Sequence, residues 1–566
     1  MSKPIYVLGT GLSHNGSAVL LKDGVVCVAI EKERITRIKH DGGNDTEAIQ
    51  YCLDAAGISL EEVDLVVQTA NFEIPERDRF HGKRLFVNSE NPPLISISHH
   101  LAHAYSAAGT CDFDNCAIMV IDGCGSPYEQ CSDVSQGTII PENLAELAQS
   151  GMWCEKDSFY YFDGQKLSTL FKDFSPIEND AENGLKLPTT KHSIGGFYAA
   201  ISHYVFGNMD DVGKLMGLAP YGKKGLITKE AFEFKDGSLL LRNDWQTDLK
   251  MPSTGYSWFK ENFHYYADVA FWAQEQVEKA VSGCFKDRLT RFPHKNVSYS
   301  GGVALNAVAN AKLLNEEVVE NFYIEPAAGD NGLALGCAYY GWLEVLGKPK
   351  AKHTESTCFG KSYTEEEIQK ELTDLPESWK SVELPDGDLV SFVAKRLAEG
   401  QTVGWFQDQC EFGPRALGHR SILAHPGIEG LGDHINANIK FREDFRPFAP
   451  AVLPELASTY FRSGRKSSYM ILVDHTKPEY LEKLKNVKHV NGTARVQTVA
   501  ENWNSRFYQL IRAFQAETGI GVLLNTSFNK KGMPIVETPE QAVALFRESA
   551  LDVLVLNNFV IEKTNR

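Results

Sequence analysis

Apolar positions along the chain fall into short runs that end in small-residue turns and alternate with segments of helical period. Ile5 to Gly9 reads as a strand, Thr10 to Gly16 as a turn with His14 at its tip, and Ser17 to Lys22 with Val25 to Ile30 as a hairpin about Asp23-Gly24. Asp45 to Ala56 and Leu60 to Val63 read as helical pieces, and Leu65 to Gln68 and Leu94 to Ile97 as strands. Ser98 to Gly109 then follows as a helix. At 100° per residue His99 and His103 lie about 40° apart on one face, with Leu101, Tyr105 and Ala108 roughly opposite. The pattern predicts one packing face, one binding face and Ser98 as the N-cap.

The same sequence of events recurs. Cys116 to Ile121 is a buried strand ending in Asp122-Gly123, and a hairpin about Asp163-Gly164 spans Phe159 to Phe171. We read this as an internal duplication. Two phosphate turns facing each other are what the actin and sugar-kinase ATPase fold uses to hold a nucleotide, a comparison of folds and not of chemistry. Asp211 to Gly222 is glycine-punctuated around Lys214 but lacks P-loop spacing, and Ala267 to Leu289 is a core helix. Val297 to Ser300 runs into Gly301-Gly302, a step that sets helix N–H groups against a ligand. Phe322 to Ile324 leads to Asp330 and a small-residue helix, Leu333 to Tyr340. The polar stretch Lys348 to Thr357 breaks the pattern, which places domains at 1–350 and 351–566.

The second domain opens with helices at Thr364 to Leu372 and Asp388 to Ala398 and a strand at Thr402 to Phe406. Gly521 to Leu524 reads as a strand entering a polar turn, Asn525 to Asn529. Thr538-Pro539 starts a helix, and a hairpin about Asn557-Asn558 closes the chain.

Composition narrows the class. With 566 residues, two or more domains are expected, and 43% hydrophobic residues describe a globular protein. The net charge of -17 disfavours nucleic acid as the main partner. The 11 cysteines show no C-x-x-C spacing, the N-terminus shows no signal segment, and no apolar run reaches membrane-spanning length. A reducing cytoplasm and no membrane association are therefore expected.

Two groups of residues carry candidate chemistry. His99 and His103 at i, i+4 can share a metal, and Asp122 and Asp330, each at a strand end, can converge on them. Two nitrogens and two oxygens suit ferrous iron, manganese or zinc. The alternatives are packed or solvated histidines and aspartates that cap their helices; His14 is either functional or a solvated turn residue. In the second domain Arg415, Lys440, Arg442, Arg446 and Arg495 are dense for an acidic chain and read as a phosphate pocket, unless Arg442 and Arg446 pair with Glu443 or Asp444 on the surface. The run Glu31 to Arg37 reads as a solvated strand end.

Several stretches resemble the antibiotic and nodulation-factor O-carbamoyltransferase family: His14 to Ala18, Glu33 to Arg37, His99 to Ala107, Lys214 to Gly222, Gly301 to Asn306, Gly329 to Gly332, Gly413 to Ser421, Lys440 to Pro450 and Asn525 to Asn529. They occur in the family's order over nearly the whole chain. The resemblance implies an α/β chain: an actin-like, duplicated ATPase-fold domain followed by a YrdC-like α/β domain. It implies formation of carbamoyl-adenylate from ATP (with Mg) and carbamoyl phosphate in the second domain, and carbamoyl transfer to a hydroxyl of a small molecule, a natural product or sugar, in the first. It places a divalent metal on His99, His103, Asp122 and Asp330, nucleotide contacts on Gly301, Gly302, Asn306 and Asn331, and carbamoyl phosphate and ATP on Arg415, Lys440, Arg442, Arg446, Arg495, Asn525 and Ser527. His14 becomes the general base. A homodimer is compatible with this reading.

The chain departs from the family at His419, where asparagine is more usual, and at Ser126, where an acidic residue is. The segments Pro141 to Thr190 and Gly225 to Phe263 match poorly and are expected to shape the acceptor pocket. The competing readings are a small-molecule kinase, which leaves the arginine-rich domain unexplained, a tRNA-modifying enzyme, which the charge disfavours, and a non-catalytic actin-like scaffold.

Overall fold

Asp23 and Gly24 both adopt left-handed backbone, the conformation a tight hairpin turn requires, and β2 (Ser17–Lys22) and β3 (Val25–Glu31) pair across them. β1 (Tyr6–Leu12) adds antiparallel to β2; β4 (Leu65–Ala70) and β5 (Leu94–Ile97) add in parallel, giving the order β3-β2-β1-β4-β5. The computed structural model describes residues 3–43, 45–70, 92–140, 153–177, 191–251 and 256–563. Its chain divides into two compact units, Met1–Lys32 with Gly42–His353 and Glu33–Asp41 with Thr354–Arg566.

A second sheet repeats the first. β6 (Cys116–Ile121), β7 (Trp153–Phe162) and β8 (Leu167–Pro176) form an antiparallel meander. A small hairpin, β9 (Phe232–Lys235) and β10 (Ser238–Leu241), stands apart, and then β11 (Asn296–Ser300) and β12 (Asn321–Ile324) add to β6 in parallel. The order β12-β11-β6-β7-β8 is that of the first sheet, element for element. The first unit is thus a duplicated, actin-like α/β fold. Among the described residues no helix is long and apolar enough to cross a membrane, and all eleven cysteines are free thiols.

The duplication pairs two helices that each follow an edge strand of their sheet, His99–Thr110 after β5 and Leu333–Tyr340 after β12. They pack directly on one another, and the small side chains of Leu333–Tyr340 explain how. A Cβ on Gly336 would stand 1.7 Å from the Ala102 carbonyl oxygen, and one on Gly109 would stand 2.2 Å from the Tyr339 ring. Only glycine admits that approach. All twelve residues of the histidine helix are buried, so the expected division into a packing and a binding face is replaced by burial on every side.

The second unit contains β13 (Trp379–Glu383), β14 (Val403–Phe406), β15 (Arg420–Ala424), β16 (Ala449–Val452), β17 (Val473–His475), β18 (Thr493–Arg495), β19 (Gln497–Thr498), β20 (Val522–Ser527), β21 (Val553–Leu556) and β22 (Phe559–Lys563). β17 and β18 pair with each other, and the others form one mixed sheet in the order β13-β22-β21-β14-β15-β20-β16-β19. Alternation assigns the sheet's two faces: Leu523, Val553 and Val555 enter one core cluster, and Val522, Leu524, Leu554 and Leu556 the other. The strand read as ending at Leu524 continues through Ser527, because Asn525 and Ser527 stay in register with Leu423 and Ser421 of β15. The helix at Pro539–Glu548 opens as read, with the Thr538 hydroxyl accepting from the Gln541 amide.

Gly336→Ala should lower stability by about 1–3 kcal/mol through overpacking. Gly213→Ala, on an exposed helix position with open space, should be neutral or stabilising by up to about 1 kcal/mol. Urea unfolding of both variants against the parent checks the contrast.

Candidate functional site

In the first unit, the turns and helix starts that the duplication makes equivalent deliver the polar side chains to one place. His14 lies just past β1 and Asp122 just past β6; His99 and His103 open the helix after β5, and Asp330 stands in the turn after β12. The Nε2 atoms of His99 and His103 approach to 3.2 Å. His99 Nε2 is 3.0 Å from Asp122 Oδ2 and 3.4 Å from Asp330 Oδ1, and His103 Nε2 is 3.9 and 3.8 Å from the same atoms. One ligand atom from each residue lies within 4.8 Å of all the others. Two buried imidazoles facing each other across two carboxylates form the donor set that a divalent metal fits.

The electrostatics agree. Burial works against a charged His99, yet Asp330 and Asp122 outweigh it and hold the imidazole well above its ordinary range. Burial likewise works against ionised carboxylates, but His99 brings Asp122 down to about 2, and His99 and His14 carry Asp330 well below its usual value. His14 Nδ1 is 3.0 Å from Asp330 Oδ2, while its ring remains 59% exposed. Burial lowers its pKa and Asp330 more than offsets this, raising it to about 9. His100, the third histidine of this helix, is turned to Ser158 at 2.8 Å, and burial keeps it neutral.

Capping of the histidine helix departs from the sequence reading. The Ser98 hydroxyl makes no cap bond and donates to Asp133 instead. The His99 amide donates to the Ser126 hydroxyl at 2.9 Å, and the His100 and Ser126 amides both donate to Glu155 Oε2. Glu155 is paired in turn with Lys172, which also meets Asp133 at 2.8 Å, and all three side chains are buried. Cys131, Asp133 and Glu155 also cluster, but the Lys172 ammonium already supplies their cation. A signal for this network is present in sequence: Glu155 to Ser158 and Lys172-Asp173 put opposite charges inside strands that are otherwise apolar.

The residues expected at a nucleotide are engaged within the unit. A Cβ at Gly301 (φ 93°) would meet the Ile121 carbonyl at 2.3 Å, and the Gly302 amide donates to Asp122 Oδ1 at 3.1 Å. This amide therefore orients a carboxylate, where the sequence reading aimed it at a nucleotide. Asn306 caps its helix through the Ala309 amide and forms a reciprocal amide pair with Gln274; Asn331 donates to Glu31. Of the poorly matching segment Pro141 to Thr190, residues 141–152 and 178–190 lie outside the described residues. Lys214 pairs with Asp211 at 2.6 Å.

In the second unit the predicted phosphate cations Arg415, Lys440, Arg442 and Arg495 have their pKa values pushed down, with burial the largest cause in each case and neighbouring cations adding to it. Arg415 falls to about 10, with Arg446 as its neighbour, and Arg442 to about 9, again against Arg446. Lys440 is driven well below its usual range, with Arg442 and Arg446 adding to burial, as is Arg495, with Arg415, Arg442 and Arg446 adding. Arginine keeps its proton in proteins, so the push expresses the cost of burying these charges, and secondarily of gathering them, a cost that an anion would reduce. Arg442 is held by neutral oxygens, Asn436 Oδ1 at 2.7 Å and two carbonyls, and lies over the Phe448 ring, so the expected alternative of a surface pair with Glu443 is not what holds it. Arg446 does face Glu443, at 3.8 Å. Lys440 Nζ donates to the Ser527 carbonyl and to Asn529 Oδ1, both at 2.5 Å, and to the Ser527 hydroxyl. Buried Nε atoms of Arg415 and Arg495 and Oδ1 of Asn525 have no hydrogen-bond partner among the described residues.

The loop bearing Arg415 is strapped from within. Buried Glu411 accepts from the amides of Leu417, His419 and Arg420. Asn525 donates to the Ala416 carbonyl, Gln497 and Asn504 to the Leu417 carbonyl, and the Trp405 indole to the Gly418 carbonyl. His419 is buried, points Nδ1 at the Gln407 carbonyl, and is kept from protonating chiefly by burial. Of these strapping residues, the sequence reading names Asn525, and no local pattern marks Glu411, Gln497 or Asn504.

Fold and sites together define a two-unit α/β chain, an actin-like duplicated domain with a buried His-His-Asp-Asp cluster and a second domain with a gathered group of cations that are buried or half-buried. Family models described as carbamoyltransferase N-terminus and carbamoyltransferase C-terminus match residues 7–78 and 76–339, and 394–563. The chain belongs to the carbamoyltransferase family. It is 34% identical to an uncharacterized protein of Synechocystis sp. over 99% of this chain and 97% of that one, and 32% identical to nodulation protein NolNO of Sinorhizobium fredii over 97% and 79%. It is also 32% identical to the 3'-hydroxymethylcephem-O-carbamoyltransferase of Amycolatopsis lactamdurans over 46% of this chain and 47% of that one.

Removing Glu155 leaves the buried Lys172 ammonium with Asp133 as its one carboxylate and strands two buried amides. Glu155→Ala should cost about 3–5 kcal/mol in urea unfolding, more than an exposed pair such as Lys279–Glu230 loses on the same treatment.

Proposed function

We propose that the chain is an O-carbamoyltransferase that uses ATP and carbamoyl phosphate and acts on a hydroxyl of a small molecule. The observation that carries this reading is the group of mutually repelling cations, Arg415, Lys440, Arg442 and Arg495 with Arg446, in a chain of net charge -17. Planar guanidinium forks take phosphate oxygens two at a time, so such a group suits a substrate carrying several phosphates. In this unit carbamoyl phosphate would give up phosphate to water, and the carbamate oxygen would attack the α-phosphorus of ATP, releasing pyrophosphate and leaving carbamoyl-adenylate. Asn525 Oδ1, a buried acceptor, and the Ser527 hydroxyl are the polar partners for the carbamoyl group.

In the first unit the acceptor hydroxyl would attack the carbamoyl carbon, AMP would leave, and the hydroxyl proton would pass to His14. His99, His103, Asp122 and Asp330 would hold a divalent metal, iron, manganese or zinc, which when bound neutralises phosphate charge on the adenylate. Asp330 fixes the His14 ring through Nδ1; sharing that carboxylate with a metal would lessen the charge that holds the imidazole protonated and so leave His14 able to accept a proton.

With labelled carbamoyl phosphate, ATP and a panel of hydroxylated acceptors, pyrophosphate release and carbamoyl transfer are expected. Transfer of the γ-phosphate to an acceptor without pyrophosphate release overturns the reading in favour of a kinase. Arg446→Ala should lower pyrophosphate release by about 10²-fold or more. His14→Asn should leave pyrophosphate release intact and abolish transfer. Metal analysis should show less bound metal in His103→Ala than in the parent, and equal content refutes the four-residue site.

A further inference from the structure

The stretch Glu33 to Arg37 contributes no residue to either site as described above, and the sequence reads Glu31 to Arg37 as a solvated strand end. The structure gives it a different setting. Glu33–Asp41 belongs to the second unit although the chain on both sides of it belongs to the first. Arg34 is 1% exposed. Its Nη1 donates to the Glu411 carbonyl and its Nη2 to the Gly413 carbonyl at 2.6 Å, and its own carbonyl accepts from Gln541. Arg37 donates to the Ile535 carbonyl at 2.7 Å and the Pro534 carbonyl at 2.8 Å.

Glu411 and Gly413 begin the loop that carries Arg415. Gly413 has φ 117°, backbone that few side-chain-bearing residues adopt, so the main chain bends sharply two residues before the arginine. Arg34 grips that bend by its carbonyls while the Glu411 carboxylate grips the following amides of Leu417, His419 and Arg420. The Arg415 Nε has no hydrogen-bond partner among the described residues. The place of its guanidinium therefore follows from the place of its main chain.

We propose that Arg34 is a positioning residue for Arg415: its buried fork holds the Glu411 and Gly413 carbonyls so that Arg415 meets the phosphate group of the substrate. A lysine cannot replace it, since one ammonium does not reproduce two donors in a rigid plane. The proposal rests on the phosphate reading of the cation group given above.

The test is calorimetric titration of the full chain with inorganic pyrophosphate, for the parent, Arg34→Lys, Arg34→Ala and Arg415→Ala, with thermal unfolding recorded for each. Arg34→Lys is expected to remain folded at the assay temperature and to bind pyrophosphate about tenfold more weakly than the parent. Millimolar guanidinium is expected to restore binding to Arg34→Ala and not to Arg415→Ala, a rescue that general loss of stability does not show. Parent-like affinity in folded Arg34→Lys, or loss in Arg34→Ala that guanidinium leaves unchanged, overturns the role of Arg34. Failure of the parent itself to bind pyrophosphate overturns the phosphate reading, and this inference with it.

Discussion

The first unit depends on one contact without side chains, the main chain of the histidine helix against Gly336 of its counterpart from the second half. Because the Cβ is missing, the two helices approach closely enough for Asp330, at the head of one, to stand 3.4 Å from His99, at the head of the other. Duplication makes the two helix starts equivalent in topology, and close packing makes them neighbours in space. The four-residue cluster is a product of the symmetry of the fold, with each half contributing a helix or turn and neither half holding a full set of donors.

Much of this architecture is legible in the sequence because it rests on local signals. Alternating apolar positions, Asp-Gly turns and strand-ending aspartates mark the elements, and Leu333–Tyr340 runs between the limits that its small residues suggest. The histidine pair, Asp122 and Asp330 are legible for the same reason, since each stands at the end of a regular element. What local pattern cannot carry is the partner across space. Ser98 looks like the cap of its helix, and the caps are Ser126, 27 residues on from His99, and Glu155, 55 residues on from His100. The helical wheel predicts an open face on the histidine helix, but a helix packed against both sheets has none. Gly302 and Asn306 have the composition of a ligand-facing step, and their polar groups are spent on Asp122, Ala309 and Gln274.

In the second unit the density of cations is visible in composition, and their convergence is not. Lys440 and Arg495 are far apart in the chain, and the sheet brings them into one electrostatic neighbourhood with Arg442 and Arg446. The loop around Arg415 shows why this domain tolerates such a group. Its main-chain polar atoms are met by side chains drawn from many parts of the unit: Arg34, Glu411, Asn525, Gln497, Asn504 and Trp405. Preorganisation of this kind removes the reorganisation cost at the moment a charged ligand arrives.

On the phosphate reading, the gathered cations also tie folding to supply. A domain that collects like charges carries their repulsion until an anion joins them, so its stability becomes a function of the concentration of whatever anion it binds. At a ligand concentration a hundred times the dissociation constant, that linkage amounts to about 2.7 kcal/mol, a substantial part of what holds a typical domain folded. On the phosphate reading proposed above, the protein is then sturdier when its phosphorylated ligands are plentiful than when they are scarce.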